Sequence, residues 1–475
     1  MLPAQAGAVG AAVGDPGAYA FAAGAETVEG ATSNLEGHRL RPGKTYKSAL
    51  PRAGRRFYRL ELTAEQNAYV AVTAVPRPGA RVTYADGVQV SLQDADGNNC
   101  SPVEAEKARF GSSESPRPIT ASAVRRVGPD EKSCTGAGTY YVVVERTRAS
   151  SGAAQGDWDL ELHVASEPVL RTGGATAPPE TWNSAAPVPP SGERRVRQGG
   201  AGFGEARGLG KGVWGAGIKP GQTLFYRVPV DWGQQLSVTA ELGSAGGGGA
   251  IGGADGSAGV GGAGDGGGIG RGSSDTGYVS SALVMSLSNP VRAEVDDADA
   301  AYDGRQKSAV LDPLPPVAYE NRFSLTDGVS AMRFAGWYYL SVHLSPQVAE
   351  KFGDAPLDLT LRVDVDGAPR PGPAYVGSPV PADDFGVTER DAEAAERGEK
   401  AGGGGARTGD DGVNGLMAVV AATGIGTGVT LLGVLGLWVL IARRRAARAA
   451  EAARAAEPAR AGREVRAASG PRSLR

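Results

Sequence analysis

The chain has 475 residues, room for two or three domains, and its 52 acidic and 49 basic side chains leave a formal net charge of −3. The balance is uneven: beyond Ala442 ten arginines face only Glu451, Glu457 and Glu464, a surplus of seven, so residues 1–442 carry −10. An acidic body excludes nucleic acid as a partner, because that binding rests on neutralising phosphates, and 73 Gly with 31 Pro exclude a chain packed throughout.

Residues 1–35 are rich in Gly and Ala without sustained periodicity and read as a flexible leader, with at most a short strand near Tyr19–Ala22. Ala4-Gln5-Ala6 has the A-x-A form of a signal-peptide cleavage site, yet no basic, apolar run precedes it. The leader is therefore expected to be the remnant of a signal peptide that begins upstream of Met1.

From residue 36 to 167 the texture changes to short alternating segments. FYRLEL at Phe57–Leu62, AYVAVTAV at Ala68–Val75, VQVSLQD at Val88–Asp94, TYYVVVE at Thr139–Glu145 and WDLELHV at Trp158–Val164 have the period-two, β-branched and aromatic character of half-buried strands. Pro76-Arg77-Pro78-Gly79, Asp86-Gly87 and Asp96-Gly97 punctuate them. Short strands so spaced predict an antiparallel β-sandwich. Cys100 and Cys134, the only cysteines, are expected to form one disulfide in an oxidising space.

Residues 168–204 are a Pro/Gly-rich linker, expected to be extended. The strand pattern then begins again over 205–366. Pro42-Gly43-Lys44-Thr45 recurs as Pro220-Gly221-Gln222-Thr223, Phe57-Tyr58-Arg59 as Phe225-Tyr226-Arg227, and Gly138 with Tyr140-Tyr141 as Gly336 with Tyr338-Tyr339. Phe57 and Phe225 are 168 apart, whereas Tyr140 and Tyr338 are 198 apart, so about 30 extra residues lie inside the second copy. The Gly-rich tract 243–274 lies there, an insertion at one inter-strand turn that loop-closure entropy tolerates.

The order of these marks, strongest at Gly138–Val144 and Gly336–Val342, resembles the bacterial pre-peptidase C-terminal domain family. The resemblance implies two tandem jelly-roll-like β-sandwiches on a secreted or surface protein, often beside a peptidase; no peptidase accompanies them in this sequence. The layout also resembles single-pass membrane proteins of high-G+C actinobacteria, and the Ala/Gly/Arg bias fits that source.

Residues 367–412 are Pro-rich, then charged and Gly-rich, and are expected to form a disordered stalk. Within 413–442, the 26 residues Leu416–Ile441 contain no charge. A helix of that length reaches about 39 Å, enough to cross a bilayer core of about 30 Å. Arg443-Arg444-Arg445 follow at once, which places the C-terminal tail 443–475 in the cytoplasm and the N-terminus outside. Gly424 and Gly428 form a G-x-x-x-G through which two such helices could pair as a homodimer.

Chemistry is sparse. His38, His163 and His343 show no metal-ligand spacing, no G-x-S-x-G elbow occurs, and the Gly-rich tract lacks the G-K-[ST] and the strand-turn-helix context of a phosphate loop. The expectation is a protein that is not an enzyme and holds no cofactor. Asp94–Asn98 opens like a calcium loop, but Asn99 and Ala105 stand where Gly and Glu are required, so it reads as a hairpin turn. Asp296, Asp297, Asp299 and Asp303 are the remaining, weak calcium candidates. Trp182, Trp214, Trp232 and Trp337 fall in or beside loops and could offer aromatic platforms to a glycan or protein, although core packing competes. The sequence thus predicts a membrane-anchored surface protein for recognition or scaffolding at the bacterial envelope. Its partners are the lipid bilayer and an unidentified extracellular protein or glycan. The rival readings are a carbohydrate-binding surface protein and an accessory subunit of an envelope protease or transporter.

Overall fold

Period-two segments become strands wherever one set of alternate side chains can be buried. In the computed structural model, which describes residues 17–77, 79–101, 107–128, 131–147, 156–174, 176–179, 181–246 and 277–401, they build four five-stranded sheets. The first ten strands are β1 (Glu26–Thr27), β2 (His38–Leu40), β3 (Lys44–Leu50), β4 (Arg55–Leu62), β5 (Gln66–Val75), β6 (Gly87–Gln93), β7 (Lys107–Arg109), β8 (Ile119–Arg125), β9 (Gly138–Thr147) and β10 (Trp158–Pro168). They pair in the orders β1-β3-β10-β5-β8 and β2-β4-β9-β6-β7.

The next ten are β11 (Arg194–Val196), β12 (Arg207–Gly208), β13 (Gly212–Ile218), β14 (Thr223–Val230), β15 (Gln235–Leu242), β16 (Val279–Ser288), β17 (Glu294–Tyr302), β18 (Lys307–Val310), β19 (Gly336–Leu344) and β20 (Leu357–Asp366). Their orders, β11-β13-β20-β15-β18 and β12-β14-β19-β16-β17, repeat the first pair with ten added to every strand number. Three short α-helices, α1 (Asp327–Ala331), α2 (Gln347–Phe352) and α3 (Glu389–Arg397), and several 3-10 turns complete the described elements. Pairing is antiparallel except at the first strand of each sheet, where β1–β3, β2–β4, β11–β13 and β12–β14 run parallel.

Each pair of sheets closes on its own apolar core. In the first, Leu160, Leu162 and Val164 of β10 meet Tyr58 and Leu60 of β4 and Val142 and Val144 of β9. In the second, Tyr338, Leu340 and Val342 of β19 meet Leu359, Leu361 and Val363 of β20. The Cys100–Cys134 disulfide forms, with Cα atoms 5.6 Å apart, and ties the segment after β6 to the one before β9.

Several expectations need correcting. Residues 17–35 of the leader are placed against the body: β1 lies in sheet, and Ala31 bridges Phe57. The linker contains β11, held parallel to β13. Residues 367–401 of the expected stalk are a strap folded back onto the sandwiches, whose bonds are described below. Among the described residues no helix is long and apolar enough to cross a membrane. Leu416–Ile441, Gly424, Gly428 and Arg443-Arg444-Arg445 lie outside the described residues, as does most of the Gly-rich tract.

The disulfide closes a loop with a sequence separation of 34, which stabilises the fold by about 3–4 kcal/mol in the chain-entropy account. The Cys100→Ser/Cys134→Ser chain is expected to lose that amount in denaturant unfolding, with both sheet orders retained by circular dichroism.

Candidate functional site between the two sandwiches

A strand with solvent on one side buries alternate residues, but β10 is buried on both faces. Its outward residues Glu161, His163, Ala165 and Glu167 are covered by the second sandwich, the leader and the strap. On the other side of this junction stand Phe225 of β14 and Trp337, Tyr339, Ser341 and His343 of β19. The two copies therefore present different sheets to each other: β1-β3-β10-β5-β8 from the first and β12-β14-β19-β16-β17 from the second.

Two carboxylates at the junction, Glu161 and Glu167, have no exposed surface at all. Removing a carboxylate from water costs several kcal/mol unless charge and hydrogen bonds replace the lost solvent. Glu161 receives Arg292 Nη1 at 2.6 Å, the Tyr19 hydroxyl at 3.0 Å and the Ala22 N–H at 2.9 Å. Arg292 lies in the β16–β17 turn at φ +63°, a left-handed conformation unfavourable for a residue with a Cβ. Leader residues 19–22 thread close by because Gly202 has no Cβ to strike the Ala20 carbonyl.

Glu167 is held more fully. Arg322 grips it in bidentate fashion at 3.0 and 2.9 Å, while Tyr69 and Tyr375 donate their hydroxyls at 2.8 and 2.6 Å. Burial pushes this carboxyl up, but the Arg322 charge and the donated hydrogen bonds outweigh it and leave the group below its ordinary value. Tyr69 also packs edge-on against Phe334, 5.1 Å between centroids, and Phe334 against Phe385 of the strap at 5.3 Å.

The strap fastens to both copies. Tyr375 bridges Leu170, Val380 bridges Ser166, and Asp384 accepts from His163 Nε2 at 2.8 Å. Its helix α3 starts at a capping box of Thr388 and Asp391, and Asp391 accepts the Trp337 indole N–H at 3.1 Å. Lys400 then bridges Arg207. The composition is polar enough to suggest disorder, but the strap's few apolar and aromatic residues fall where the junction needs them.

Cavities flank the junction. One of about 190 Å³ is bordered by Arg117, Glu294, Asp297 and Asp299. Desolvation by the surrounding protein, with Asp297 alongside, pushes the Glu294 carboxyl up to about 7. Another, of about 750 Å³, opens between Arg77 and Arg81 of the first copy and Lys219 and Glu350 of the second. A third, of about 590 Å³, runs where the connector, the β14–β15 turn and the strap meet.

The calcium candidates are dispersed. Asp297 and Asp299 face the small cavity, Asp296 accepts the Asp312 N–H at 2.8 Å, and Asp303 pairs with Lys307 at 2.9 Å. Among the described residues no three His, Cys, Asp or Glu side chains converge as a metal set. Asp94 folds on itself, accepting the Asp96 and Asn98 N–H groups as a turn does. Trp214, Trp232 and Trp337 are buried and Trp182 is half-buried; Trp182 and Trp232 line the third cavity. His163 and His343, which show no metal-ligand spacing in the sequence, are junction residues: the first bonds Asp384 and the second Ser115. Glu161, Glu167, Arg292, Arg322 and Tyr375 carried no local mark; the available hint was that β5 and β10 lack a consistently polar outer face.

No family model matches the chain, and no curated protein matches it in sequence. Among solved structures it is similar to tripeptidyl peptidase 2 at 9% identity and TM-score 0.20, over 76% of this chain and 28% of that one. It therefore spans little more than a quarter of the peptidase chain. It is also similar to the CUB1-EGF-CUB2 segment of human MASP-1/3 (6% identity, TM-score 0.15, 67% and 99% of the two chains). A third is the tandem CBM22 pair of Paenibacillus barcinonensis Xyn10C (8%, 0.16, 67% and 93%). Likenesses this distant carry no argument about activity or ligand.

Arg322→Met leaves Glu167 buried without its counter-charge and is expected to cost about 3–5 kcal/mol in denaturant unfolding; adding Glu167→Gln recovers part of it. His343 bonds Ser115 at 2.6 Å and Thr223 at 2.9 Å, and burial, with Arg117 nearby, pushes its pKa down to about 3. The unfolded chain takes up this proton first, near pH 6.5, so the stability His343 contributes is complete above that value and drains as pH falls toward 3. Unfolding free energies from pH 8 to 4.5 are expected to fall by about 2–3 kcal/mol more in the parent than in His343→Gln.

Proposed function

We propose that this chain is a non-catalytic cell-surface protein whose two sandwiches and strap act as one rigid body for recognition or scaffolding at a bacterial envelope. In this reading Leu416–Ile441 spans the membrane, the sandwiches stand outside, and Arg443-Arg444-Arg445 lie on the cytoplasmic side. The observation that carries it is the junction: buried Glu161 and Glu167 are ion-paired to Arg292 and Arg322 across the copies. Groups committed in this way hold two domains at a fixed angle, which suits a body that presents a surface. The Cys100–Cys134 disulfide supports an oxidising location.

The strap gives the reading a mechanical side. It leaves β20, crosses the first copy at Leu170 and Ser166, and returns to the second at Trp337 and Arg207. The strap in this way ties the two sandwiches to each other. The likeness to pre-peptidase C-terminal domains favours a second reading, an accessory subunit of an envelope protease or transporter, which co-purification from the native membrane tests.

Epitope tags ahead of residue 17 and after Arg475 test the arrangement in intact cells. Added protease is expected to remove the first and spare the second, and alkaline carbonate to leave the chain in the membrane. Digestion of the C-terminal tag in unbroken cells, or a wholly soluble chain, sinks the proposal.

A further inference from the structure

The geometry points to the groove between the connector, the Trp232 turn and the strap as a binding site for one neutral pyranose unit of a glycan. This deepens the recognition reading and rests on it, but does not depend on how the chain is anchored. At about 590 Å³ the groove lies within the range of small-molecule sites. Neither sandwich makes it alone.

Its walls are joined by their own backbones. Gly233 N–H donates to Val317 at 2.7 Å, Arg370 N–H to Trp232 at 2.8 Å, and Arg171 N–H to Ala374 at 2.8 Å. The Gln235 side-chain amide reaches the Asn183 and Leu314 carbonyls at 3.0 and 2.7 Å, holding the Trp182 segment beside the neighbouring loop. A groove preformed in this way loses little conformational entropy when a ligand enters.

Four polar groups of the lining have no hydrogen-bond or ion-pair partner among the described residues: the Trp232 indole N–H, the Tyr319 hydroxyl, the Glu320 carboxylate and the Arg370 guanidinium. Trp232 is only 8% exposed, and its Nε1 edge lies beside Gly372 of the strap, which also lines the groove. The indole N–H of this mostly buried ring keeps access to solvent and is open to an acceptor on a ligand.

A pyranose has an apolar C–H face and a rim of hydroxyls that both donate and accept. Half-buried Trp182 supplies a ring face for the first. Glu320 accepts from hydroxyls, while Arg370 and Trp232 donate to them. Among the described lining residues the charged ones are Glu320 and Arg370, of opposite sign, which favours a neutral sugar over an acidic one. A proline-rich peptide needs several ring faces in a row. Here Arg322 already lies over the Tyr319 ring at 3.4 Å, and Trp232 is almost covered.

The full chain in detergent is to be probed on an array of neutral oligosaccharides, and the tightest binder titrated by tryptophan fluorescence. Trp232→Phe keeps a ring and removes the N–H, and Glu320→Gln and Arg370→Ala remove unpaired groups. Each is expected to weaken binding about tenfold, with the unfolding midpoints of the last two at the parent's value. Failure of every neutral saccharide to bind, or equal affinity in the parent and all three variants, overturns the inference. So does preferential binding of a decaproline peptide that Glu320→Gln leaves unchanged. Loss of saccharide binding with a protected C-terminal tag leaves the surface proposal standing, and the reverse result sinks only that proposal.

Discussion

Two carboxylates with no access to water decide how this molecule is put together. Glu161 and Glu167 sit on the outward face of β10, where an isolated sandwich would leave them solvated. Once a second sheet covers them, each must be answered by a charge and by enough donors to replace water, or the assembly comes apart. Arg292 and Arg322 supply the charges from loops of the second copy; Tyr19, Tyr69 and Tyr375 supply the donors. Buried pairs of this kind add little net stability over well-packed apolar residues, but they penalise every other relative placement. The junction is therefore a device for orientation more than for adhesion.

The duplication makes that asymmetry informative. Both copies have the same strand order, so a symmetric arrangement would use the same sheet from each. Instead the first offers the sheet containing β10 and the second the sheet containing β19. The contact is heterologous, a pattern that in separate molecules generates chains or rings. Within one polypeptide it joins two unlike faces, and the leader and the strap pack around it.

Leader and strap show how composition can mislead. Residues 17–35 and 367–401 have too few apolar side chains to form a domain, and the expectation of disorder follows from that. They are ordered because they need no core of their own. Tyr19, Tyr375, Asp384, Phe385 and Asp391 each meet a partner already fixed by the sandwiches. The third cavity, with Trp182 and Trp232 in its wall, exists only as a consequence of that docking.

What could be read along the chain was whatever depends on neighbours in sequence. Alternation in WDLELHV places Leu160, Leu162 and Val164 on one face, the recurrence of Phe-Tyr-Arg marks a second copy, and two lone cysteines make one disulfide; strand geometry and thiol chemistry need nothing further. The face opposite Leu160 was not legible, because Glu161 and Glu167 look the same whether they meet water or arginine. Their partners lie 131 and 155 residues away. Only the tertiary fold chooses between those environments, since the cost of burying a charge is set by what surrounds it and not by what precedes it in the chain.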